Sequence, residues 1–209
     1  MKKEKIVLGI SGGVDSSVAA ILLQKDGYDV HGVFMKNWDD KHAICSAEDD
    51  YADAVSVCKK LNISLKKIDY TDEYKDKVFK QFLDDHINGF TPNPDVLCNK
   101  EIKFEVFQNY AQEIGATKIA TGHYADHYKS GSNFYLKKAK DKSKDQSYFL
   151  HQLGQSELEN TIFPLGKILK KEVRNIAKKY SLINHNKKDS TGICFIGERK
   201  YNDFVGEHL

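Results

Sequence analysis

Proline is scarce in this sequence, and its scarcity makes its positions informative. Only three prolines occur among 209 residues, and two of them, Pro92 and Pro94, stand in TPNPDVLCNKEIKF, residues 91–104. Because proline fixes the backbone φ angle and limits the entropy of a loop, this stretch is predicted to form a rigid turn. It places the carboxylate of Asp95 three residues before the thiol of Cys98.

Long apolar runs and zinc-type cysteine spacings are also absent. No stretch approaches the roughly 20 apolar residues of a membrane span, and the amino terminus lacks the long apolar segment of a secretory signal. The four cysteines, Cys45, Cys58, Cys98 and Cys194, form no C-x-x-C pair, so a structural zinc site is not expected. We expect a cytoplasmic protein whose cysteines are free thiols unless chemistry uses them. The sequence suggests no role for Cys45 or Cys58.

Charge is distributed unevenly along the chain. Residues 1–136 carry 17 Lys and Arg against 21 Asp and Glu, a net of −4, whereas residues 137–200 carry 15 against 7, a net of +8. A basic second half suggests a polyanionic partner such as nucleic acid. A solvated lysine-rich surface explains the same numbers and is the simpler interpretation on charge alone.

The hydrophobic pattern predicts strands that alternate with helices. This alternation indicates an α/β fold with a doubly wound parallel sheet. Residues 126–139 alternate around Ser-Gly-Ser-Asn and predict a β-hairpin. We place the main α/β domain at 1–150 and the start of a smaller, mostly helical unit at 151–209. The predicted strands cover 5–10, 28–35, 63–70 and 117–122, and the predicted helices cover roughly 14–26, 47–61, 72–87, 100–114 and 169–180.

A Ser-Gly-Gly turn lies between the first predicted strand and helix, in LGISGGVDSSVAA, residues 8–20. Glycines allow backbone N–H groups to approach a phosphate, and the positive end of the helix adds attraction. No Walker A lysine is present, so backbone amides and serine hydroxyls must bind the phosphates. Asp15 makes sense here if it holds Mg²⁺ or orients the loop. The alternative is an ordinary glycine turn in which Asp15 or Ser16 caps a helix.

The unit SGGVDS directly after a strand resembles the PP-loop of ATP pyrophosphatases, which split ATP into AMP and pyrophosphate. In an open α/β sheet the ligand lies beyond the carboxyl ends of the strands. This resemblance implies that the nucleotide lies at the turn and at the ends of the second and fourth predicted strands. Without the resemblance, Met35 would fit a core position equally well. The set comprises Gly9, Ile10, Ser11, Gly12, Gly13, Val14, Asp15, Ser16, Met35 and Gly122.

The two later cysteines each allow two interpretations. Cys98 is predicted to open a helix, where the dipole and unpaired N–H groups would lower its pKa, and Asp95 would either cap that helix or move a proton. Cys194 precedes Arg199 and Lys200, whose charge would also favour thiolate. A buried structural cysteine is the alternative at position 194.

Six blocks in this order resemble the tRNA-specific 2-thiouridylase family: GISGGVDSS, GVFMKNW, TPNPDVLCNKEIKF, ATGHYA, KDQSYFL and KDSTGICFIGER. The resemblance implies an N-terminal piece of a longer enzyme whose C-terminal β-barrel is absent from this chain. It implies that Cys194 carries sulfur as a persulfide, that Cys98 releases it by forming a disulfide with Cys194, and that Asp95 assists proton transfer. It also implies contacts to the target base or to tRNA at Asn93, Pro94, Asp95, His123, Lys144, Asp145 and Gln146.

The implied reaction is ATP-dependent 2-thiolation of the wobble uridine of tRNA, through adenylation of its C2 carbonyl. ATP and Mg²⁺ are the implied cofactors, with metal-binding residues unknown. The implied partners are tRNA, a persulfide sulfur donor protein and an external thiol reductant, with no membrane. Two rivals stay open: another PP-loop synthetase or amidotransferase that acts on a small carboxylate, and a nucleotide-binding module without catalysis.

Overall fold

A computed structural model describes residues 3–38, 46–189, 192–197 and 199–208. Cys45 lies outside these residues. The strands are β1 Lys5–Gly9, β2 Asp29–Lys36, β3 Ser64–Asp69, β4 Lys118–Ala120, β5 Ala125–Ser130, β6 Asn133–Lys138 and β7 Thr161–Ile162. The helices are α1 Val14–Lys25, α2 Ser46–Leu61, α3 Thr71–Tyr74, α4 Lys80–Ile87, α5 Pro94–Cys98, α6 Phe104–Ile114, α7 Gln155–Asn160, α8 Lys170–Lys179 and α9 Tyr201–His208.

The central sheet is parallel and has the strand order β3-β2-β1-β4-β7. The predicted α/β fold with a parallel sheet is confirmed. Strand β1 is central and pairs with β2 on one side and with β4 on the other. The chain therefore reverses its direction of winding between β1 and β4, which is where open sheets of this class bind ligands.

The two faces of the sheet bury separate apolar clusters, because successive side chains of a strand point to opposite faces. From β1, Ile6 and Leu8 join the cluster that contains residues of α1 and α8. Val7 points the other way, into the cluster that contains Phe82 of α4 and Phe107 of α6. Helices thus cover both faces, as right-handed crossovers require.

Two π-helical turns interrupt the helices that the sequence predicts as continuous. The first π turn, Lys75–Phe79, joins α3 to α4, and the second π turn, Asn99–Lys103, joins α5 to α6. In the second, the Phe104 N–H bonds to the Asn99 carbonyl, five residues back. Turns of this kind are rare and are frequently found at functional sites. Both here border the same apolar cluster.

The predicted hairpin is present as β5 and β6, which pair antiparallel. Elements beyond residue 150 pack on the main sheet: β7 pairs with β4, and α8 packs on α1. The division near residue 150 stays a prediction. Within the described ranges, no helix is long and apolar enough to cross a bilayer.

Candidate active site

The glycine turn lies at the carboxyl end of β1, where the winding of the sheet reverses. Gly12 has φ +78°, and a Cβ there would collide with the Asp50 carbonyl, so the turn requires glycine. A Cβ on Gly122, which follows β4, would lie 2.9 Å from the Ser16 nitrogen. The two chain segments at the switch point therefore touch through backbone atoms, and glycine at both positions makes this approach possible.

The serines of the turn bond mainly to one another and to the backbone. Ser11 Oγ and Ser16 Oγ lie 3.2 Å apart, and Ser16 Oγ donates to the Gly13 carbonyl at 3.2 Å. Ser17 Oγ donates to the same carbonyl at 2.8 Å and accepts from Asn184 Nδ2 at 2.9 Å. Ser17 is fully buried, so its hydroxyl holds the turn together, whereas Ser11 is exposed.

Helix α1 begins after Gly13 without any side chain that caps its first N–H groups. The alternative interpretation, in which Asp15 or Ser16 caps the helix, is therefore wrong, because both residues lie inside its first turn. Unpaired N–H groups at the start of a 12-residue helix attract a phosphate. The local geometry fits a bound nucleotide triphosphate.

Asp15 is held by two residues that come from distant parts of the chain. Lys170 Nζ donates to both carboxylate oxygens at 2.7 Å each, and Tyr124 Oη donates to Oδ1 at 2.9 Å. Lys170 is only 12% exposed at its side chain, and Asp15 is 30% exposed. The turn without a P-loop lysine thus receives an ammonium group from the N-terminus of α8. The sequence offered no local signal for this pairing, which joins positions 155 residues apart.

Asp189 joins three cations beside that pair. It accepts from Lys170 Nζ at 2.7 Å, from Lys144 Nζ at 2.7 Å and from Arg174 Nη2 at 2.8 Å. Burial raises the pKa of Asp189, but the hydrogen bonds from Lys144 and Lys170 outweigh it, and the pKa falls to about 2. The carboxylate therefore connects the phosphate turn to the segment that leads to Cys194.

The Asn-Pro-Asp turn begins the short helix α5. Asn93 is the N-cap, and its Oδ1 accepts the Asp95 N–H at 3.2 Å, with Pro94 at the first helical position. The prediction that Asp95 caps the helix is wrong, because Asn93 has that role. Burial raises the pKa of Asp95, against the effect of Lys103, which makes its carboxylate a stronger base than an exposed one.

Cys98 lies at the end of α5 rather than in its first turn. Its residue is 4% exposed, and burial raises the pKa of its thiol to about 12, with Lys103 opposing that rise. The predicted lowering of the Cys98 pKa is therefore wrong, because the thiol lies a full helical turn away from the unpaired N–H groups and is removed from water. A buried neutral thiol needs both a base and a cation before it becomes a nucleophile.

Cys194 is exposed and forms no disulfide, and it lies near enough to Cys98 to influence the pKa of that thiol. Each thiol influences the pKa of Tyr74, and the Cys194 thiolate raises the pKa of Cys98. Desolvation by the surrounding protein raises the pKa of the Cys194 thiol, so the predicted lowering of this pKa is wrong as well. Arg199 Nη2 donates to the Phe195 carbonyl at 2.7 Å.

Phe195 fixes the position of Cys194 by filling an aromatic cluster next to it. It is 1% exposed. Its ring centroid lies 4.9 to 6.2 Å from those of five other aromatic side chains: Trp38, Tyr74, Phe79, Phe82 and Phe204. Such a cluster prevents the neighbouring thiol from moving freely. Phe195 was not among the predicted site residues, although an aromatic residue directly after the cysteine was a visible signal.

Tyr74 and His123 complete the wall of the pocket. Tyr74 is fully buried, and its hydroxyl lacks an ordinary hydrogen-bond partner among the described residues; it faces Cys194, and this contact lowers the pKa of the Cys194 thiol. His123 Nδ1 lies 2.9 Å from Thr121 Oγ1. Burial lowers the pKa of His123 to about 3, and Lys103 adds to this effect, so the imidazole is neutral at physiological pH.

The remaining predicted contacts lie around this pocket. Gln146 accepts the Tyr124 N–H through Oε1 at 3.0 Å, and Asp145 Oδ1 accepts the Ala139 N–H at 2.8 Å. Lys144 is held by Asp189. Met35, half-buried near the end of β2, packs against the cluster that contains Cys98. Within the described part of the chain, no group of three metal-ligating residues is found.

The comparison with protein families agrees with these features. The profile of the tRNA methyl transferase HUP domain family matches residues 4–198. The chain belongs to this family. A relative named tRNA-specific 2-thiouridylase MnmA, from Hahella chejuensis (strain KCTC 2396), is 55% identical over 210 residues, which are 100% of this chain and 58% of the relative.

A second relative with the same name, from Francisella tularensis subsp. holarctica (strain FTNF002-00 / FTA), is 55% identical over 212 residues and is covered to 59% of its length. The predicted resemblance to 2-thiouridylases is confirmed. The chain spans less than two thirds of the length of these relatives. A solved structure of a 4-thiouridine synthetase in complex with RNA and ATP matches with a TM-score of 0.63 and 19% identity, over 98% of this chain and 49% of that one, which shows the fold alone.

Proposed function

We propose that this chain is the adenylating and sulfur-transferring part of an enzyme that 2-thiolates the wobble uridine of tRNA. The proposal is supported by the proximity of three groups: Cys194 and Asp95 both act on the pKa of Cys98, although 96 positions separate the two cysteines. A synthetase acting on a small carboxylate has no use for a pair of thiols, so their juxtaposition favours sulfur chemistry.

The glycine turn is the proposed site for ATP. The residues from Gly9 to Ser16 would bind the phosphates through backbone N–H groups and the hydroxyls of Ser11 and Ser16, with Met35 and Gly122 at the nucleotide. ATP, when bound, supplies the AMP group that makes the uridine C2 oxygen a good leaving group. Both oxygens of Asp15 accept from Lys170, so Asp15 would orient the loop. Mg²⁺, when bound, would neutralise phosphate charge and take its ligands mainly from the phosphates and water.

The thiol pocket then performs the transfer. The outer sulfur of a persulfide on Cys194 forms a bond to C2, and AMP leaves with the C2 oxygen. Asp95 takes the proton from the Cys98 thiol, and the Cys98 thiolate attacks Cys194 Sγ. The bond between Cys194 and the transferred sulfur breaks, its electron pair stays on that sulfur, and a Cys98–Cys194 disulfide remains. An external thiol reductant must supply two electrons, and a persulfide donor protein must reload Cys194.

The tRNA would enter over the Asn-Pro-Asp turn, with its wobble base out of the anticodon stack. Asn93, Pro94 and Asp95 would contact the base, and the neutral His123 offers an uncharged surface to it. Lys144, Asp145 and Gln146 would contact the backbone or its neighbours. We propose the cytoplasm as the compartment, because thiols stay reduced there and tRNA is available.

Mass spectrometry of tRNA tests this function. The full-length protein would be incubated with unmodified tRNA, ATP and a persulfide donor, with samples lacking ATP or donor as controls. We expect a mass gain at one uridine that corresponds to replacement of oxygen by sulfur, with release of AMP and pyrophosphate. AMP formation that depends on a small carboxylate and not on tRNA would overturn the proposal in favour of a synthetase.

A further inference from the structure

The second π turn places a lysine on the same face as Cys98. In an α-helix, residues five apart are rotated about 140° from each other, so Lys103 would point away from Cys98. A π turn closes its backbone hydrogen bonds over five residues instead of four, so residues five apart in it are rotated less from each other than in an α-helix. The Phe104 N–H bond to the Asn99 carbonyl is of this kind. The π turn therefore rotates Lys103 toward the face of the helix that carries Cys98.

A buried amide holds the Lys103 ammonium group in place. Lys103 Nζ donates to Asn99 Oδ1 at 2.9 Å, and Asn99 Nδ2 donates to the Phe149 carbonyl at 3.2 Å. Asn99 is 2% exposed, so its orientation is fixed by this chain of bonds. Over residues 3–38, 46–189, 192–197 and 199–208, no carboxylate forms an ion pair with Lys103. A fixed, half-buried cation of this kind is suited to an anion that appears during the reaction.

The groups that respond to Lys103 come from three different segments. Asp95 and Cys98 belong to α5, His123 follows β4, and Cys194 lies in the segment 192–197. Tyr74, at the end of α3, faces the same thiols. The positive charge lowers the pKa of both thiols, and burial opposes it. Lys103 is the cation common to both sulfurs.

We propose that Lys103 is a positioning residue of the thiol pair, which stabilises the Cys98 thiolate during its attack on Cys194. This role rests on the proposed sulfur transfer and adds to it the cation that the buried thiolate requires. Asp95 removes the proton from the Cys98 thiol. Lys103 stabilises the resulting thiolate and so disfavours return of the proton from Asp95 to the sulfur. Once the disulfide has formed, both sulfurs are neutral, and the ammonium group is again held by Asn99 alone.

The test is the pH dependence of Cys98 alkylation by iodoacetamide in the full-length protein without tRNA. Peptide mass spectrometry measures the extent of alkylation at Cys98. We expect Lys103→Met to slow alkylation at pH 8 at least tenfold and to shift the profile to higher pH, whereas Lys103→Arg retains most of the rate. Lys100→Met is the matched control: Lys100 lies in the same π turn, is exposed and pairs with Glu101 at 2.9 Å. It should behave as wild type.

The outcomes separate this inference from the proposed function. If the wild-type protein thiolates tRNA but Lys103→Met has a wild-type alkylation profile, the role of Lys103 alone is overturned. Failure of the wild-type protein to place sulfur on tRNA overturns the proposed function itself. If Lys103→Met does not fold, as judged by circular dichroism, Lys103→Gln carries the same comparison, because its amide is a neutral donor. An equal loss of rate in Lys100→Met would reduce the effect to general surface charge and would also overturn the inference.

Discussion

Lys170 donates to both oxygens of Asp15 at 2.7 Å, so the first turn of α1 is fastened to the first turn of α8. A carboxylate beside a phosphate site repels its ligand unless a cation neutralises it, and this ion pair provides that cation. Lys170 is also bound to Asp189, so one ammonium group joins the carboxylates of Asp15 and Asp189 beside the glycine turn.

Replacing Asp15 with alanine should remove ATP-dependent activity. The variant leaves Lys170 and Tyr124 without their shared acceptor, so the glycine turn loses the contacts that orient it. We expect kcat/KM for ATP to fall at least about 100-fold, or about 2.7 kcal/mol of transition-state stabilisation, measured as tRNA-dependent pyrophosphate release. Asp26→Ala, just past the other end of α1, should keep wild-type kinetics. Unchanged kcat and KM in Asp15→Ala would show that Asp15 has only a structural role.

The two-thiol scheme predicts that Cys98→Ser and Cys194→Ser each abolish thiolation without unfolding the protein. A hydroxyl cannot carry a persulfide or form a disulfide, whereas the nucleotide turn is untouched, so ATP binding should stay within about twofold of wild type. Sulfur incorporation into tRNA and isothermal titration with ATP measure the two effects. Cys58→Ala is the control, because Cys58 is buried in the cluster on the opposite face of the sheet. Wild-type activity in either serine variant contradicts the scheme.

Stability should depend on pH through Asp189. Its pKa is lowered from 3.8 to about 2 in the folded state, so its ionised form stabilises the fold above about pH 4, and this contribution is lost as the pH falls toward 2. The full contribution is about 2 kcal/mol, and about 1 kcal/mol of it is lost between pH 6 and pH 3. Urea unfolding of wild type and Asp189→Asn at these two pH values should therefore give a difference that shrinks by about 1 kcal/mol.

Asp84→Asn is the matched control for the pH experiment, since Asp84 is exposed on α4. Its effect on the free energy of unfolding should be the same at pH 6 and pH 3. A difference between wild type and Asp189→Asn that does not change with pH would mean that Lys144, Lys170 and Arg174 contribute no net stabilisation through this carboxylate.

Local patterns predicted the fold well because each strand and helix carries its own periodicity. The four predicted strands of the parallel sheet lie within one or two residues of β1 to β4. The two π turns were not predictable in this way, because a single extra residue in a helical turn leaves the apolar spacing almost unchanged. Strand β7 has only two residues, too few to show any period.

The site was predicted only where its residues are close in sequence or resemble known motifs. The glycine turn and the Asn-Pro-Asp turn are of this kind. Lys170 and Tyr74 reach the site through tertiary packing, and no local signal links them to Asp15 or Cys194. The predicted pKa shifts of both thiols had the wrong sign. The prediction rested on the position of each thiol near a helix end or basic residues, whereas burial dominates the pKa of Cys98 and cannot be seen in a sequence.

Salt should weaken tRNA binding far more than ATP binding, because the basic residues of the second half are proposed to bind phosphates. Removing one lysine that neutralises a phosphate reduces the steepness of log K against log salt by about 0.7 to 0.9. Lys171, Lys178 and Lys179 are exposed on α8, so their combined replacement by glutamine should reduce that slope by about two. The slope is measured by fluorescence anisotropy with labelled tRNA between about 50 and 300 mM salt.

The control for the salt experiment is Lys59→Gln, an exposed lysine near the end of α2 in the acidic half of the chain. It removes a positive charge from a different part of the surface and should leave the slope unchanged. If the triple variant on α8 and the control behave alike, the excess of lysine in residues 137–200 is a solvated surface and not a tRNA-binding one. If the slope falls in the triple variant alone, α8 lies against the phosphate backbone, with Lys170 at its buried end bound to Asp15 beside the nucleotide turn.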